Sequence, residues 1–274
     1  MTRSVLPEDF AGAKAIYDDT MAANMDVHDV IYPEVFGTHQ YVGQFSDNSA
    51  AELKGMGELM GLAKDSEVLD IGCGRGNVAK FMAQTFGWKI TGIDLSHVAF
   101  GDAIRRSGGN GRVAPTLICG NIYEHVFGKL FNAVYGTGAF CHFDASRLFA
   151  HIGSLLLPNG RMAFMERTRR GDISQADWEN LTARWSCPYV YTTEEYEALL
   201  ENNDFRLRHV LDLTPSFRVW QQRSVTVRKN LRKEIVALSS PEYYEASLAF
   251  ASYENDVTLA GLLGYVCMVA ERSP

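Results

Sequence analysis

The chain is poor in cysteine, and what it has is not arranged for cross-linking. Cys73, Cys119, Cys141, Cys187 and Cys267 are odd in number, widely separated and free of any CxxC pair. That spacing argues against a disulfide framework and offers no zinc motif, so the thiols are read as reduced, the protein as cytoplasmic, and no metal is expected. The start, "MTRSVLPEDF", has no apolar h-region, so no secretory signal is expected. No uncharged stretch approaches membrane-spanning length, so no membrane partner is expected either. Positive charge is also scarce. Across 274 residues, 26 basic and 33 acidic side chains give a formal net charge of -7. Polyanion binders usually display a basic stripe, so nucleic acid is not an expected partner, and a small neutral or cationic molecule fits better. Repeats, low-complexity tracts and linkers are absent. What remains is 46% hydrophobic and 22% charged, the composition of a globular protein with a proper core.

The hydrophobic period changes near residue 66. Before it the pattern is helical. "PEDFAGAKAIYDDTM" reads as one helix, and "SDNSAAELKGMGELMGLA" opens on a capping box, Ser49 with Glu52. From Glu67 short apolar runs alternate with amphipathic ones. "EVLDIG", "WKITGID", "RVAPTLICGN", "FNAVYGTGAF" and "RMAFMER" read as strands. Between them "NVAKFMAQTFG", "SHVAFGDAIRRSGGNG" and "DASRLFAHIGSLLLPNG" read as helices, the last stopped by Pro158 and an Asn-Gly turn. This alternation implies parallel strands joined by crossover helices, an α/β doubly wound sheet. "TTEEYEALLENNDF" has a second capping box, Thr192 with Glu195; "RLRHVLDLT" and "GLLGYVCMVAER" add two strands at an antiparallel edge. Residues 215–260 read as two aromatic-rich helices, a surface able to support a homodimer.

"VLDIGCGRGN" places three glycines directly after the first strand. In an open parallel sheet ligands bind beyond the carboxyl ends of the strands. Gly72 and Gly74 let the backbone turn tightly and approach a ligand. Gly76 frees the start of the next helix, whose N-terminus carries unpaired N–H groups and partial positive charge. Asp94 closes the second strand, eighteen positions past Gly76, where a carboxylate can accept from a ribose diol. The dinucleotide fingerprint is G-x-G-x-x-G, but Asn77 stands where its last glycine belongs. Asp70, just before the loop, would repel a pyrophosphate and suits a cationic amino group.

These residues resemble the class I S-adenosylmethionine-dependent methyltransferases. The resemblance is carried by "VLDIGCGRG", "TGIDLS", "CGNIYEHVF", "FNAVYGTGAFCHF" and "LLLPNGRMAFMER", in the family's order. It implies a Rossmann-like, mostly parallel seven-stranded sheet in one methyltransferase domain over 1–274. Within it, 1–65 is a helical N-terminal lid, 66–167 the cofactor-binding core, and 168–274 a helical substrate cap with the closing strands. The arrangement is similar to the small-molecule branch that includes sarcosine and dimethylglycine methyltransferases and natural-product tailoring enzymes. S-adenosyl-L-methionine is then the implied cofactor. Asp70 and Gly72 would lie at its methionine end, Gly74 and Gly76 would shape the loop, and Asp94 would hold the ribose. Leu95, Asn121 and Ile122 would meet the adenine, and Thr137 and Gly138 would line the sulfonium.

A sulfonium donor leaves neutral, so the enzyme must align acceptor, methyl and sulfur and exclude water; that chemistry requires no metal. The expected acceptor is a small amine, with oxygen or carbon acceptors open. His142, after the fourth strand, is the candidate general base or a histidine that orients its loop. His39, in "GTHQYVGQF", is the second candidate or a plain surface residue. Aromatic residues outside the sheet, Trp185, Trp220 and Tyr243 among them, would wall the substrate or pack the cap. Glu166 would touch substrate or pair with Arg167, Arg169 or Arg170, and "RTRR" would clamp an anion or lie solvated. A nicotinamide-dependent oxidoreductase and a binding protein that keeps the cofactor without transfer are the competing readings.

Overall fold

The computed structural model describes residues 10–99 and 114–273. Seven strands form one sheet in the order β3-β2-β1-β4-β5-β7-β6. They are β1 (Glu67–Ile71), β2 (Lys89–Asp94), β3 (Thr116–Cys119), β4 (Phe131–Thr137), β5 (Leu156–Arg169), β6 (Phe205–Asp212) and β7 (Leu263–Arg272). The first five pair in parallel. β7 runs antiparallel between β5 and β6, so the expected seven-stranded, mostly parallel sheet with an antiparallel edge is present. No helix among the described residues is long and apolar enough to cross a membrane.

Alternation along the strands sorts side chains to two faces. Val68 faces a layer built on α2 (Ala50–Met60) and α3 (Asn77–Phe86), with Leu53, Met56, Val78 and Met82 fully or nearly fully buried. Leu69 and Ile71 face the other layer, where α4 (Ala145–Leu155) and α6 (Thr193–Glu201) contribute Phe149, Ile152, Tyr196 and Leu200. A third cluster joins α1 (Phe10–Phe36) to the C-terminal helices through Val27, Ile31, Val35, Ile235 and Tyr244. α1 thus lies outside the sheet layers, held by the cap.

Both capping boxes form. The Ser49 and Thr192 side chains accept from the N–H groups of Glu52 and Glu195, whose carboxylates accept from the cap N–H groups in return. Three expectations are corrected. α4 ends at Leu155, not at Pro158, because Leu156 already pairs with Phe131 of β4. Residues 215–260 hold three helices, α7 (Thr214–Asn230), α8 (Arg232–Leu238) and α9 (Pro241–Leu259), not two. Ser240 caps α9 by accepting from Tyr243 N–H, and Pro241 fits the first helical turn, where its missing N–H costs nothing. α5 (Gln175–Trp185) escaped the sequence pattern, since it buries only Leu181 and Trp185 and ends on a non-glycine cap, Ser186. Of the helix expected over 96–111, only its opening at His97 lies within the described residues.

Two glycines separate space from propensity. In α2 a methyl group added at Gly55 meets nothing, whereas one at Gly136 in β4 collides with the buried Phe140 ring and lies 3.2 Å from the Ile71 carbonyl oxygen. Gly55→Ala should therefore stabilise the protein by about 0.5–1 kcal/mol, through helix propensity. Gly136→Ala should cost about 1–3 kcal/mol through overpacking. Urea unfolding of the two variants checks both signs.

Candidate active site

The carboxyl ends of β1, β2 and β4 open into a cavity of about 300 Å³. Asp70, Gly72, Gly74, Asp94, Leu95, Asn121, Ile122, Thr137, Gly138 and His142 all line it. Gly76 sits behind the wall as the N-cap of α3. His39 is exposed on the turn after α1 and does not line the cavity.

The loop after β1 is built by its neighbours. Gly72 and Gly74 take φ of 71° and 52°, left-handed values that suit glycine. A Cβ at Gly72 would come within 2.5 Å of the Ala139 methyl, while Gly74 opens onto empty space, so the loop forms a cradle facing the cavity. Asp94 braces it. One carboxylate oxygen accepts from Gly74 N–H and the other from Ser96 N–H, each at 2.8 Å. Asp94 therefore fixes two backbone turns and retains lone pairs toward the cavity. Burial raises its pKa, against those two bonds.

Asp70 is 2% exposed, and Tyr135 O–H donates to it at 2.9 Å. No cation pairs with it among the described residues. Burial dominates and lifts its carboxyl to about 8, opposed by the Tyr135 bond and aided by the Asp94 charge. A buried acid without a counter-ion at the cavity wall fits a ligand that brings its own positive group.

Asn77 explains the departure from the dinucleotide fingerprint. Its side-chain amide donates to the Gly43 carbonyl at 3.2 Å, a tie to the N-terminal segment that glycine could not make. Gly43, Gln44, Phe45 and Ser46 form a wall of the cavity that the sequence pattern missed. Arg75 reaches from the loop to Asp29 of α1 at 2.6 and 2.9 Å, and its guanidinium lies 4.7 Å from the Phe45 ring. Asp18 of α1 accepts from Ser96 O–H at 2.7 Å. The Tyr17 side chain lies outside the described residues.

Arg167 and Trp185 also line the cavity, and both border a second one of about 500 Å³. Its wall includes Tyr32, Phe36, Asp47, Arg184, Trp220, Arg228, Tyr243, Phe250 and Glu254. Arg167 pairs with Asp47 and with Glu254, and stacks 4.9 Å from the Trp185 ring centre. Trp185 N–H donates to Glu254 at 3.1 Å. Burial raises the Glu254 carboxyl to about 6, with Arg167 opposing. Arg184 and Arg228 pair with no carboxylate among the described residues.

The basic run is spoken for. Arg169 pairs with Glu195 at 3.0 Å and Arg170 with Asp212 at 3.1 Å, partly exposed pairs that leave "RTRR" charge-compensated and not a ready anion clamp. Glu166 does not engage these arginines by hydrogen bonds. It is fully buried and accepts from Ala139 and Phe140 N–H at 2.7 and 2.6 Å, bracing the turn after β4. On that turn His142 makes a 2.8 Å hydrogen bond from Nδ1 to the Ser186 carbonyl. Burial opposes its charged form, but the Cys141 thiol, the Glu166 carboxylate and the Ser186 carbonyl favour it and raise it to about 9.

A doubly wound sheet with a glycine cradle after β1 and an acid at the end of β2 defines a Rossmann-like, nucleoside-cofactor-binding protein. Comparison with known proteins narrows the class. A methyltransferase-domain family model matches residues 48–210, and the chain belongs to that family. Phosphoethanolamine N-methyltransferase 1 of Arabidopsis thaliana is 25% identical over 214 residues; the match covers 77% of this chain but only 43% of that protein. O-methyltransferase resE of Aspergillus sclerotiorum is 24% identical over 271 residues, covering 92% of this chain and 96% of that one. Among solved structures, Haemonchus contortus phosphoethanolamine N-methyltransferase 2 in complex with phosphomonomethylethanolamine and S-adenosylhomocysteine superposes with a TM-score of 0.80. That match is 19% identical and covers 98% of this chain and 61% of that chain. The class I methyltransferase resemblance and the Rossmann-like fold expected from the sequence both stand.

The uncompensated acid gives a pH signature. The unfolded chain releases the Asp70 proton near 4, whereas the folded protein holds it to about 8. Folding therefore takes up a proton in that window. Relative to Asp70→Asn, the wild type should lose up to a few kcal/mol of stability as pH rises from about 4 to about 8, then level off. Urea unfolding at several pH values checks this, and parallel curves for the two proteins would count against it.

Proposed function

We propose that the protein transfers the methyl group of S-adenosyl-L-methionine to the nitrogen of a small amine that also carries an acidic group. The observation that carries this reading is the second cavity, which shares Arg167 and Trp185 as wall residues with the first. It combines aromatic walls, the carboxylates of Asp47 and Glu254, and the guanidinium groups of Arg184 and Arg228. Carboxylates and aromatic faces suit an ammonium group, and arginine suits a carboxylate or phosphate. The plant and nematode relatives are named for such an acceptor, phosphoethanolamine, and the nematode enzyme is in complex with its monomethyl derivative.

The cofactor, when bound, supplies a methyl group activated by a sulfonium. The residues present fit it. Asp70, without a cation partner, would take the amino group; the cradle of Gly72 and Gly74 would lie along the amino-acid tail; Asp94 would accept from the ribose. Leu95, Asn121 and Ile122 would hold the base, although the Asn121 amide already bonds Tyr123 N–H and Glu124. Thr137 and Gly138 would sit at the sulfonium. In this reading residues 1–65 form the lid, 66–167 the cofactor core and 168–274 the acceptor cap. Phe45 and Ser46 exclude water on the lid side. Positioning of this kind is worth several kcal/mol, up to roughly 7–11 in the best intramolecular cases. The amine must reach the methyl group as its neutral form, since an ammonium has no lone pair. His142, with its raised proton affinity, is protonated near neutral pH and is a poor proton acceptor there.

A second reading, O-methylation, rests on resE, which this chain matches over nearly its whole length. Family membership removes the nicotinamide reading, and a binding protein without transfer is the remaining contrast.

The deciding experiment is a methyl-transfer screen with amino acids, phosphorylated amines, phenols and β-keto acids, read by mass spectrometry. Methylated amines are expected; methylated phenols alone would select the second reading, and no product anywhere would leave binding without transfer. Asp94→Ala should weaken cofactor binding at least tenfold by calorimetry, because it loses both the ribose contact and the brace on Gly74; unchanged affinity would remove Asp94 from the ribose. Cofactor binding near pH 7 should also release a proton from Asp70, giving a heat that depends on buffer ionisation and that vanishes in Asp70→Asn.

A further inference from the structure

The methyl-transfer reading leaves one chemically distinctive cluster unused. Cys141, His142 and Cys187 bring two sulfurs and an imidazole nitrogen within 4.8 Å of one another. Both cysteines are buried, and Cys187 and His142 line the cofactor cavity. We propose that these three side chains form a binding site for a divalent zinc-type metal ion at the edge of that cavity. This goes beyond the function proposed above and does not depend on it.

The geometry is that of a three-ligand site. Cys141 Sγ and Cys187 Sγ lie 2.9 Å apart, and Cys187 Sγ lies 3.7 Å from His142 Nε2. A tetrahedral zinc ion, about 2.3 Å from sulfur and 2.0–2.1 Å from nitrogen, spaces its ligand atoms roughly 3.5–3.8 Å apart. The sulfur–nitrogen separation already matches. The sulfurs must open by a small side-chain rotation, and their present closeness is too short for two unbonded neutral thiols.

The surroundings are arranged as for a metal ligand. His142 Nδ1 bonds the Ser186 carbonyl at 2.8 Å, which turns Nε2 toward Cys187. A metal-binding histidine commonly anchors its other ring nitrogen in this way, which fixes ring orientation and tautomer. Ser186 adopts φ 53°, an uncommon left-handed conformation for a residue with a side chain. That turn delivers both the carbonyl to His142 and the thiol of Cys187 to Cys141. Two backbone bonds pin the pieces: Tyr189 N–H to the Cys141 carbonyl and Cys187 N–H to the Thr182 carbonyl, both at 3.0 Å. Glu166 Oε2, buried beside the turn that carries Cys141 and His142, has no hydrogen-bond partner among the described residues, a setting that favours a nearby cation. Zinc uses all three groups, as two thiolates and a neutral imidazole, and leaves a fourth position for water or an acceptor atom.

The test uses the full-length, tag-free protein, reduced and stripped with a chelator, without cofactor or acceptor. Titration with cobalt(II) should saturate at one equivalent and produce thiolate charge-transfer absorption in the near ultraviolet with the intense visible bands of four-coordinate cobalt; zinc should abolish them. Cys187→Ser should lose the charge-transfer band from that sulfur, and His142→Asn should weaken binding at least tenfold. Cys119→Ser, whose thiol is exposed elsewhere, should bind as the wild type does. The wild-type titration stands even where a variant fails to fold. Absence of the cobalt spectrum in reduced wild type overturns the proposal. So does binding indifferent to Cys187 and His142, or a Cys141–Cys187 disulfide in protein that binds no metal once reduced. Because no methyl transfer is measured, failure here leaves the transfer proposal intact, and an inactive enzyme leaves this one intact.

Discussion

The candidate site depends on one half-buried carboxylate. Asp94 ends β2, and its two oxygens hold the N–H groups of Gly74 and Ser96. The first bond shapes the cradle after β1, and the second turns the chain after β2 toward the helix that opens at His97. Remove that acceptor and two buried backbone donors lose their partner, a cost of about 1–3 kcal/mol each before any ligand is considered. The sheet places Asp94 there because β1 and β2 pair in parallel and end together, with Ile71 opposite Ile93. The loop after β1 and the turn after β2 are therefore fixed by the same side chain, which also lines the cavity.

From this brace the order spreads outward to the lid. Arg75, inside the glycine loop, reaches Asp29 of α1 and covers Phe45. Phe45 stacks on His28 at 3.8 Å, and His28 on Tyr32 at 3.7 Å. Burial keeps His28 neutral by lowering its pKa to about 4, so the stack is three uncharged rings under one guanidinium. Tyr32 is also part of the second cavity's wall. One chain of contacts thus runs from the cofactor loop through the lid to the second cavity. Arg167 provides a second connection, paired with Asp47 of the N-terminal segment and Glu254 of α9. In both cases the arginine is buried and paired, which fixes segments far apart in sequence.

Much of the sheet was legible because its rules are local. A run of apolar residues five to seven long, a glycine where the chain reverses, and a capping box at Ser49 or Thr192 each state their structure within a few residues. The errors share a cause. α4 stops early because Leu156 finds a partner on β4, and α5 is hidden because tertiary burial of Leu181 and Trp185 replaces a strong amphipathic pattern. Glu166 beside a basic run looks like an ion-pair partner, yet its bonds go to the turn after β4, because adjacent residues on a strand point to opposite faces. The meeting of Cys141, His142 and Cys187 has no linear motif to announce it; it arises where Ser186 turns left-handed after α5.

One half of the candidate site was legible in the chain itself: the glycine cradle, the acids at 70 and 94, and the alternation that builds a parallel sheet around them. Those features are local, since one strand, one turn and the next strand's end suffice to create them. Tertiary structure alone decided the other half. It brought Phe45 and Ser46 over the cradle, joined Arg167 to Asp47 and Glu254, and gathered Cys141, His142 and Cys187. Those groups come from segments tens to hundreds of residues apart, and no short-range period can encode an encounter that only tertiary packing creates.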